Sequence, residues 1–554
     1  MLNKLIRNTA LILVFLTFVG GLLRVYKIGE IPVGFHADEA YFGYNAYSLL
    51  RTGRDITGHF IPIHLESFLY SPGGYSYLII PFLVFFDLSP VAVRLPAAII
   101  GTATIILTFF LVRMIFSQEK YSVLVALITT FLLTISPWHI NLSRASAENV
   151  IVVFLIILSV FLYLKWVENQ RFFILLFSFI FFASTYLFYQ APRAFLPLFI
   201  PFLVLFFSRQ LKPKKYFLIG ILYLFFIVLP LVIIVTSDTL SYRLRMLSVF
   251  SYPKTQALID EAIVEDGLSS QPVILTRVFH NKIVGYTSEI FDTYMQHLSY
   301  GFLFKDEGLP ARYRVPNMGL LYLFELPLIV VGLYSIVRLR SRGGLLCIVW
   351  VLLGFVGSAL TYDDVPNLQR TLLVLPALQV VGGFGAVTLF KNLPSKVIPI
   401  VVLVSIIIVL YFVSYYLHQY FIHQIIHKPI YRQEGYKELV RVVNKLLPQY
   451  QYAMITTRQA SPLIFFLFYS QYDPAKFQQE IKKEKHNFLI EDFGKVSIDK
   501  YRFFTDACFD KDKLKESILY VDLGSCDVPY SQVHVLKEIK RGDASIVFRV
   551  YDKK

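Results

Sequence analysis

Two adjacent carboxylates, Asp38 and Glu39, stand in the string Gly34-Phe35-His36-Ala37-Asp38-Glu39-Ala40-Tyr41, shortly after the first long apolar run of the chain. A carboxylate there can act as a general base, because burial at a membrane boundary raises its pKa toward the working pH. The same residues also have a plainer use. Asp at an N-cap and Glu in the first turn both stabilise a helix start. Ala40 to Leu50 is rich in helix formers, Arg51 suits a last turn and Gly53 a stop. The spacing predicts a short helix near the membrane surface, buried because apolar and aromatic residues run almost all round it. Asp38 stays open between base and cap.

A second set of polar residues lies at the ends of apolar runs. Ser136-Pro137-Trp138-His139 closes one run and Ser143-Arg144-Ala145-Ser146-Ala147-Glu148 opens the next, while Arg193 follows Tyr189-Gln190-Ala191-Pro192 and Arg370 follows Asp363-Asp364-Val365-Pro366-Asn367. A planar guanidinium binds phosphate bidentately. Arg144, Arg193 and Arg370, with His139, are therefore candidates for a phosphate site at the lipid headgroup level. The alternative pairs them with acids such as Glu148 and Asp364, or lets them snorkel to the interface. An Arg144–Glu148 pair at i,i+4 is worth only a few tenths of a kcal/mol. His59, His64 and Glu66 match no strong metal-ligand spacing. No P-loop, dinucleotide glycine pattern or internal repeat is present.

The elements that must position these residues follow from composition and charge. In 554 residues, hydrophobic types make up 56% and charged types 16%, against about 25% charged in soluble chains; mean hydropathy is +0.58. That is an integral membrane protein, and it excludes a disordered chain, a collagen and a disulfide scaffold. Apolar runs lie near 9–23, 91–112, 121–137, 147–165, 171–189, 194–208, 216–236, 317–337, 343–361, 370–390 and 396–417, about eleven spans. Placing the N-terminus inside, behind Lys4 and Arg7, gives every cytoplasmic turn basic residues: Arg113 and Lys120; Lys165 and Arg171; Arg209, Lys212, Lys214 and Lys215; Arg338, Arg340 and Arg342; Lys391 and Lys396. The net charge of +15 then reads as topology, not as nucleic-acid binding. Tyr75 to Phe86 is too short to span and is expected to be interfacial or re-entrant. All 11 histidines, His486 among them, fall on the outer side or at its boundary.

The expected domains are a transmembrane part, 1–428, with large outer loops near 24–90 and 237–316, and an extracytoplasmic α/β domain, 429–554. In the latter, Gly435 to Leu447 reads as an amphipathic helix, Tyr452 to Thr456 as a buried strand, Ser461-Pro462 as a helix start, and Ile518 to Val521 as a strand. Val533 to Ile539 and Ser545 to Val550 read as a hairpin through Arg541-Gly542-Asp543. Cys508 and Cys526 can pair there, whereas Cys347 sits in a span.

The order of features resembles the C-type membrane glycosyltransferases, in particular bacterial relatives of protein O-mannosyltransferases and lipid A aminoarabinose transferases. The matching pieces are Asp38-Glu39 after the first span, a long first outer loop, Arg94-Leu95-Pro96 opening the next span, and Ser143-Arg144 with Glu148. The resemblance covers about the first 210 residues by motif and the rest by architecture. It implies a GT-C-like helix bundle with an extracytoplasmic α/β domain. It makes Asp38 the base, Glu39 its supporting partner and Arg144 a donor-phosphate ligand, with His139 and Arg370 matched by location. The donor would be a polyprenyl-phosphate sugar, the acceptor a hydroxyl on protein, lipid or glycan, and the outcome inversion. No cofactor is implied; a divalent metal is not favoured, because arginines cover a monophosphate. The competing reading is a transporter or flippase of lipid-linked sugars, which usually shows repeats and mid-membrane charges. Here polar residues gather on one side.

Overall fold

A computed structural model of the chain describes residues 8–68, 70–145, 147–208, 211–268, 273–484, 496–527 and 529–554. Lys4, Arg7, Ser146, Arg209 and His486 lie outside the described residues. The chain divides into two compact units, each assembled from separated segments: 1–23, 100–142 and 147–414 in the first, and 24–99, 143–146 and 415–554 in the second.

Every apolar run expected to span contains helix. Among the described residues, six helices are long and apolar enough to cross a bilayer: Pro90–Ile115, Glu148–Asn169, Pro213–Thr236, Arg342–Ala359, Leu372–Lys391 and Ile398–Ile426. Ser122–Ile135 and Pro137–Ser143 pass only together, bent by 54° where Pro137 starts the second helix. Thr9–Val25, Gly74–Phe86, Phe172–Leu187 and Pro192–Phe207 are apolar but shorter. The run expected from 317 turns helical only at Glu325. Before it, Leu321 N–H donates to Leu303 O at 2.9 Å, and a Cβ on Gly319 would lie 2.4 Å from the Phe304 backbone. This close passage holds the chain out of the helix.

In the first unit, Leu372–Lys391 is the central helix. Glycines let its neighbours approach it closely: a Cβ on Gly385 would meet Leu328 O at 1.9 Å, and one on Gly383 would meet Thr129 Oγ1 at 2.4 Å. Small residues substitute here for a hydrophobic driving force, which is weak between helices in lipid.

The second unit contains a mixed five-stranded sheet: β1 (Tyr452–Thr456), β2 (Tyr501–Phe504), β3 (Ile518–Leu523), β4 (Val533–Lys540) and β5 (Ile546–Lys553), in the order β2-β1-β3-β5-β4. β1 pairs in parallel with β2 and β3, while β5 runs antiparallel to β3 and β4. The helix Tyr436–Leu446, the strands at 452 and 518, the helix start at Pro462 and the hairpin are as the sequence predicts. β2 and the helix Pro474–Glu484 were not expected. Cys508 and Cys526 form a disulfide, and Cys347 is a buried thiol.

Candidate functional site

The helix carrying the acid pair runs from Ala37 to Thr52 and ends at Gly53, whose φ of 66° accommodates the left-handed cap. Its start corrects one expectation: the N-cap is His36, not Asp38. His36 Nδ1 accepts from Asp38 N–H at 3.2 Å, and Glu39 Oε2 accepts from His36 N–H at 3.1 Å, closing a capping box. Asp38 is thus released from capping. Its side chain stays 28% exposed, with Oδ1 at 3.4 Å from His36 Nδ1.

Glu39 is sealed. Arg94 Nε donates to its Oε1 at 2.8 Å and Nη2 to its Oε2 at 3.0 Å. The rest of the Arg94 fork donates to Ile28 O, Pro32 O and Gly34 O, so all five of its N–H groups are used. Burial alone would raise the Glu39 carboxyl, but the charge and hydrogen bonds of Arg94 overcome this and hold it below the ordinary value. Behind the acid pair, a Cβ on Gly34 would lie 2.5 Å from Arg432 O. Gln433 Oε1 accepts from Ala37 N–H at 2.8 Å.

Buried packing then fixes the helix. Gly43 lets Phe468 and Val93 approach to within 2.6 Å of where a Cβ would stand. Tyr44 Oη donates to Tyr472 O at 2.9 Å, and Gln478 Nε2 donates to Ser48 Oγ, Thr52 Oγ1 and Asp55 O. The helices Pro462–Tyr469 and Pro474–Glu484 of the α/β part therefore clamp the helix that carries Asp38.

Arg144 is fully buried in the same unit. It donates to Tyr26 O at 2.6 Å and Ile31 O at 2.9 Å, and its guanidinium lies 5.4 Å from the Tyr420 ring and 4.9 Å from the Phe421 ring. Arg94 and Arg144 both grip the segment that leads into the acid helix.

His139, Arg193, Glu148 and Arg370 belong to the other unit. His139 is fully buried; Arg193 is buried with Nη2 at 3.4 Å from Tyr186 O. Arg370 is largely buried, and its acid is Asp363, at 3.5 Å. It also donates to Thr361 Oγ1 at 2.8 Å and to the Asp363 carbonyl. Its backbone N–H donates to Asn367 Oδ1 at 2.7 Å. Asn367 N–H in turn donates to His297 Nε2 at 3.1 Å, and His297 Nδ1 is 2.7 Å from Thr293 O. His297 thus holds the loop that presents Arg370. Glu148 Oε2 is 3.5 Å from Gln369 Nε2. Arg243 interacts electrostatically with both Tyr189 and Arg193, and Arg370 with Tyr189, so three guanidiniums gather around Tyr186 to Tyr189.

Sequence reasoning missed His297, Arg243 and the Arg432-Gln433 brace. Only Gly34 hinted at the brace, as a residue with no side chain beside a loaded backbone. Among the described residues no group of three His, Cys, Asp or Glu could hold a metal ion. His59 instead lies 3.4 Å from Glu66 and 3.8 Å from Asp55.

The model of the dolichyl-phosphate-mannose-protein mannosyltransferase family matches residues 71–234. The fold is similar to that of ArnT from Cupriavidus metallidurans in its apo state, with TM-score 0.50 and 11% identity over 98% of this chain and 97% of that one. The form of ArnT bound to undecaprenyl phosphate gives TM-score 0.50 at 11% identity over 99% and 98%. The chain has the C-type fold of these structures. A third similar fold is the Archaeoglobus fulgidus oligosaccharyltransferase, with TM-score 0.50 and 12% identity over 83% of this chain and 64% of that one. No curated protein matches in sequence. Its six helices long and apolar enough to cross a bilayer, counted among the described residues, make it a multi-pass membrane protein, and an α/β portion follows them in the sequence.

Proposed function

We propose that this C-type relative transfers a sugar from a polyprenyl-phosphate donor to an acceptor hydroxyl on protein, lipid or glycan at the outer face of the membrane. The observation that carries this reading is the division of labour in the acid pair. Glu39 is locked to Arg94, whereas Asp38, one residue away on the same rigid helix, keeps solvent access. The basic short turns favour an outward orientation for this helix, and the ArnT structure named for bound undecaprenyl phosphate supports the donor class.

In the proposed step, a carboxylate oxygen of Asp38 takes the acceptor hydroxyl proton as that oxygen attacks the anomeric carbon. The bond from the anomeric carbon to the phosphate oxygen breaks, the configuration inverts, and polyprenyl phosphate leaves with the electron pair. Guanidinium groups stabilise the charge that develops on the leaving phosphate. Arg370, which keeps partial exposure beside Asp363, is the guanidinium proposed for that contact. Arg144 is capped by Tyr420 and Phe421, so its donor-phosphate role requires those rings to move; in its present position it fixes the Tyr26 to Ile31 segment. Arg193 and His139 are buried in the same unit as Arg370.

The test is to reconstitute the full chain in liposomes with a panel of polyprenyl-phosphate sugars and measure released polyprenyl phosphate together with sugar on an acceptor or on water. Release with at least one donor is expected. Movement of intact donor between leaflets without release would overturn the enzyme reading in favour of transport.

A further inference from the structure

The segment from Pro253 to Leu298, expected from its sequence to be part of a large outer loop, forms three helices: Pro253–Leu268, Val273–Phe279 and Lys282–His297. The last is amphipathic with its apolar side turned away from the protein. Thr293 and His297 are buried on its inner side, and a Cβ on Gly285 would lie 2.5 Å from Ile259 Cδ1. Exposed on the outer side are Ile283 at 80%, Phe291 at 61%, and Val284, Met295 and Leu298. At about 100° per residue these five fall within an arc of about 120°, interrupted by Thr287 and edged by Ser288. The exposed Lys282, Asp292 and Gln296 fall on the opposite side. The preceding short helix adds exposed Ile274, Leu275, Val278 and Phe279.

Where this helix is anchored decides what covers it. Tyr294 Oη donates to Leu352 O at 2.9 Å, the Tyr294 ring meets Phe355 edge-on at 6.2 Å, and His297 Nε2 is 2.8 Å from Ser358 Oγ. All three partners belong to Arg342–Ala359, one of the helices long and apolar enough to span a bilayer. Leu352 lies about 10 Å inside its end, at 1.5 Å per residue, and its own side chain is exposed. An apolar face beside a lipid-exposed turn of a span continues the lipid surface. The geometry points to Lys282–His297 as an interfacial helix, its Ile283, Val284, Phe291, Met295 and Leu298 face seated in the bilayer beside the Phe355 end of that span. Such a helix buries its apolar side about 5–10 Å into the headgroup and acyl boundary. Its polar residues stay wet.

The experiment places a nitroxide on single introduced cysteines in the full chain, Ile283→Cys, Val284→Cys, Phe291→Cys, Met295→Cys and Leu298→Cys, with Lys282→Cys, Asp292→Cys and Gln296→Cys for comparison. Cys347 is buried and the other two cysteines are paired, so the introduced thiol is the reactive one. In phosphatidylcholine and phosphatidylglycerol liposomes, collision rates with oxygen, which concentrates in lipid, and with a water-soluble nickel chelate are compared. The oxygen-to-nickel ratio is expected to be several-fold higher at the five apolar positions than at the three polar ones, rising and falling with the helical period. Equal nickel access at both sets would place the helix in water and overturn the inference. So would spin–spin broadening at the apolar positions that grows with protein-to-lipid ratio, which would make a second copy the occupant.

Discussion

Glu39–Arg94 and Asp363–Arg370 are the same chemical pair in two settings, one in each compact unit. In the first, the side chains are 4% and 1% exposed, every donor of the fork is spent, and the two atoms in contact are 2.8 Å apart. In the second, the acid is half-exposed, the guanidinium 13% exposed and the closest separation 3.5 Å. A sealed pair cannot exchange protons or ligands without breaking its surroundings. An open pair can trade its acid for a phosphate. The contrast marks the first as the pair that holds the acid helix and the second as the pair with an accessible acid, and it separates Asp38 from its neighbour Glu39.

The largest effect should come from that separation. Asp38→Asn is expected to lower sugar transfer by roughly 10²–10⁴-fold, the range for losing a general base, with the melting temperature unchanged. Full turnover in this variant would remove the base assignment. The sealed pair should respond the other way. Arg94→Met leaves Glu39 buried without its partner and is expected to cost about 3–5 kcal/mol of stability, read as thermal unfolding of the purified protein. If Glu39→Gln with Arg94→Met recovers part of that loss, the pair is scaffold. If it does not, the comparison between the two pairs loses its first half.

Acid should expose the support behind the open pair. His297 is buried, and that burial, helped by the nearby Arg370 charge, lowers it to about 4, against the bond to Thr293 O that favours the proton. The unfolded chain binds this proton at the ordinary value of about 6.5. Between about pH 6.5 and 4 the unfolded state therefore holds more protons, and stability is lost as pH falls through that window, by about 3 kcal/mol at pH 4. His297→Gln should flatten this part of the stability profile. An unchanged acid slope would mean that other groups titrate there.

These contrasts mark how far the sequence could be read. Ala40 to Gly53 was legible because helix formers, a basic last turn and a glycine stop are local signals. The hairpin at Val533 was legible because β propensity and a turn adjoin it. The capping by His36 was not, since Asp38 is the better N-cap by type, and the His36–Glu39 capping box that sets the earlier start uses a Glu39 held by Arg94, 55 residues away. The partner of Arg370 fell on Asp363 and not Asp364, a choice made by loop geometry with no periodicity to reveal it. His297 sits 70 residues from Asn367, and nothing in either local string points to the other. The helix Lys282–His297 falls in a stretch that reads only as large outer loop, because its length and charge are ordinary. Its apolar side has meaning only once Tyr294 is seen on Leu352.

The smallest expected effect tests the open pair itself. Because Arg370 and Asp363 meet where water still reaches the acid, their mutual attraction is worth about 0–1 kcal/mol, so Asp363→Asn should leave the melting temperature nearly in place, whereas Arg370→Ala also loses the bonds to Thr361 Oγ1 and the Asp363 carbonyl and should lower it modestly. Their kinetic effects should diverge. Arg370→Ala removes the guanidinium proposed to meet the leaving phosphate and should raise the donor KM roughly tenfold, equivalent to about 1.4 kcal/mol. Asp363→Asn keeps the guanidinium and removes only its competitor, so the donor KM should hold or fall. Steady-state kinetics over donor concentration for the two variants reads this directly. Equal increases in KM would mean that Arg370 works only as part of its ion pair, and the two carboxylate–guanidinium pairs would then differ in exposure but not in role.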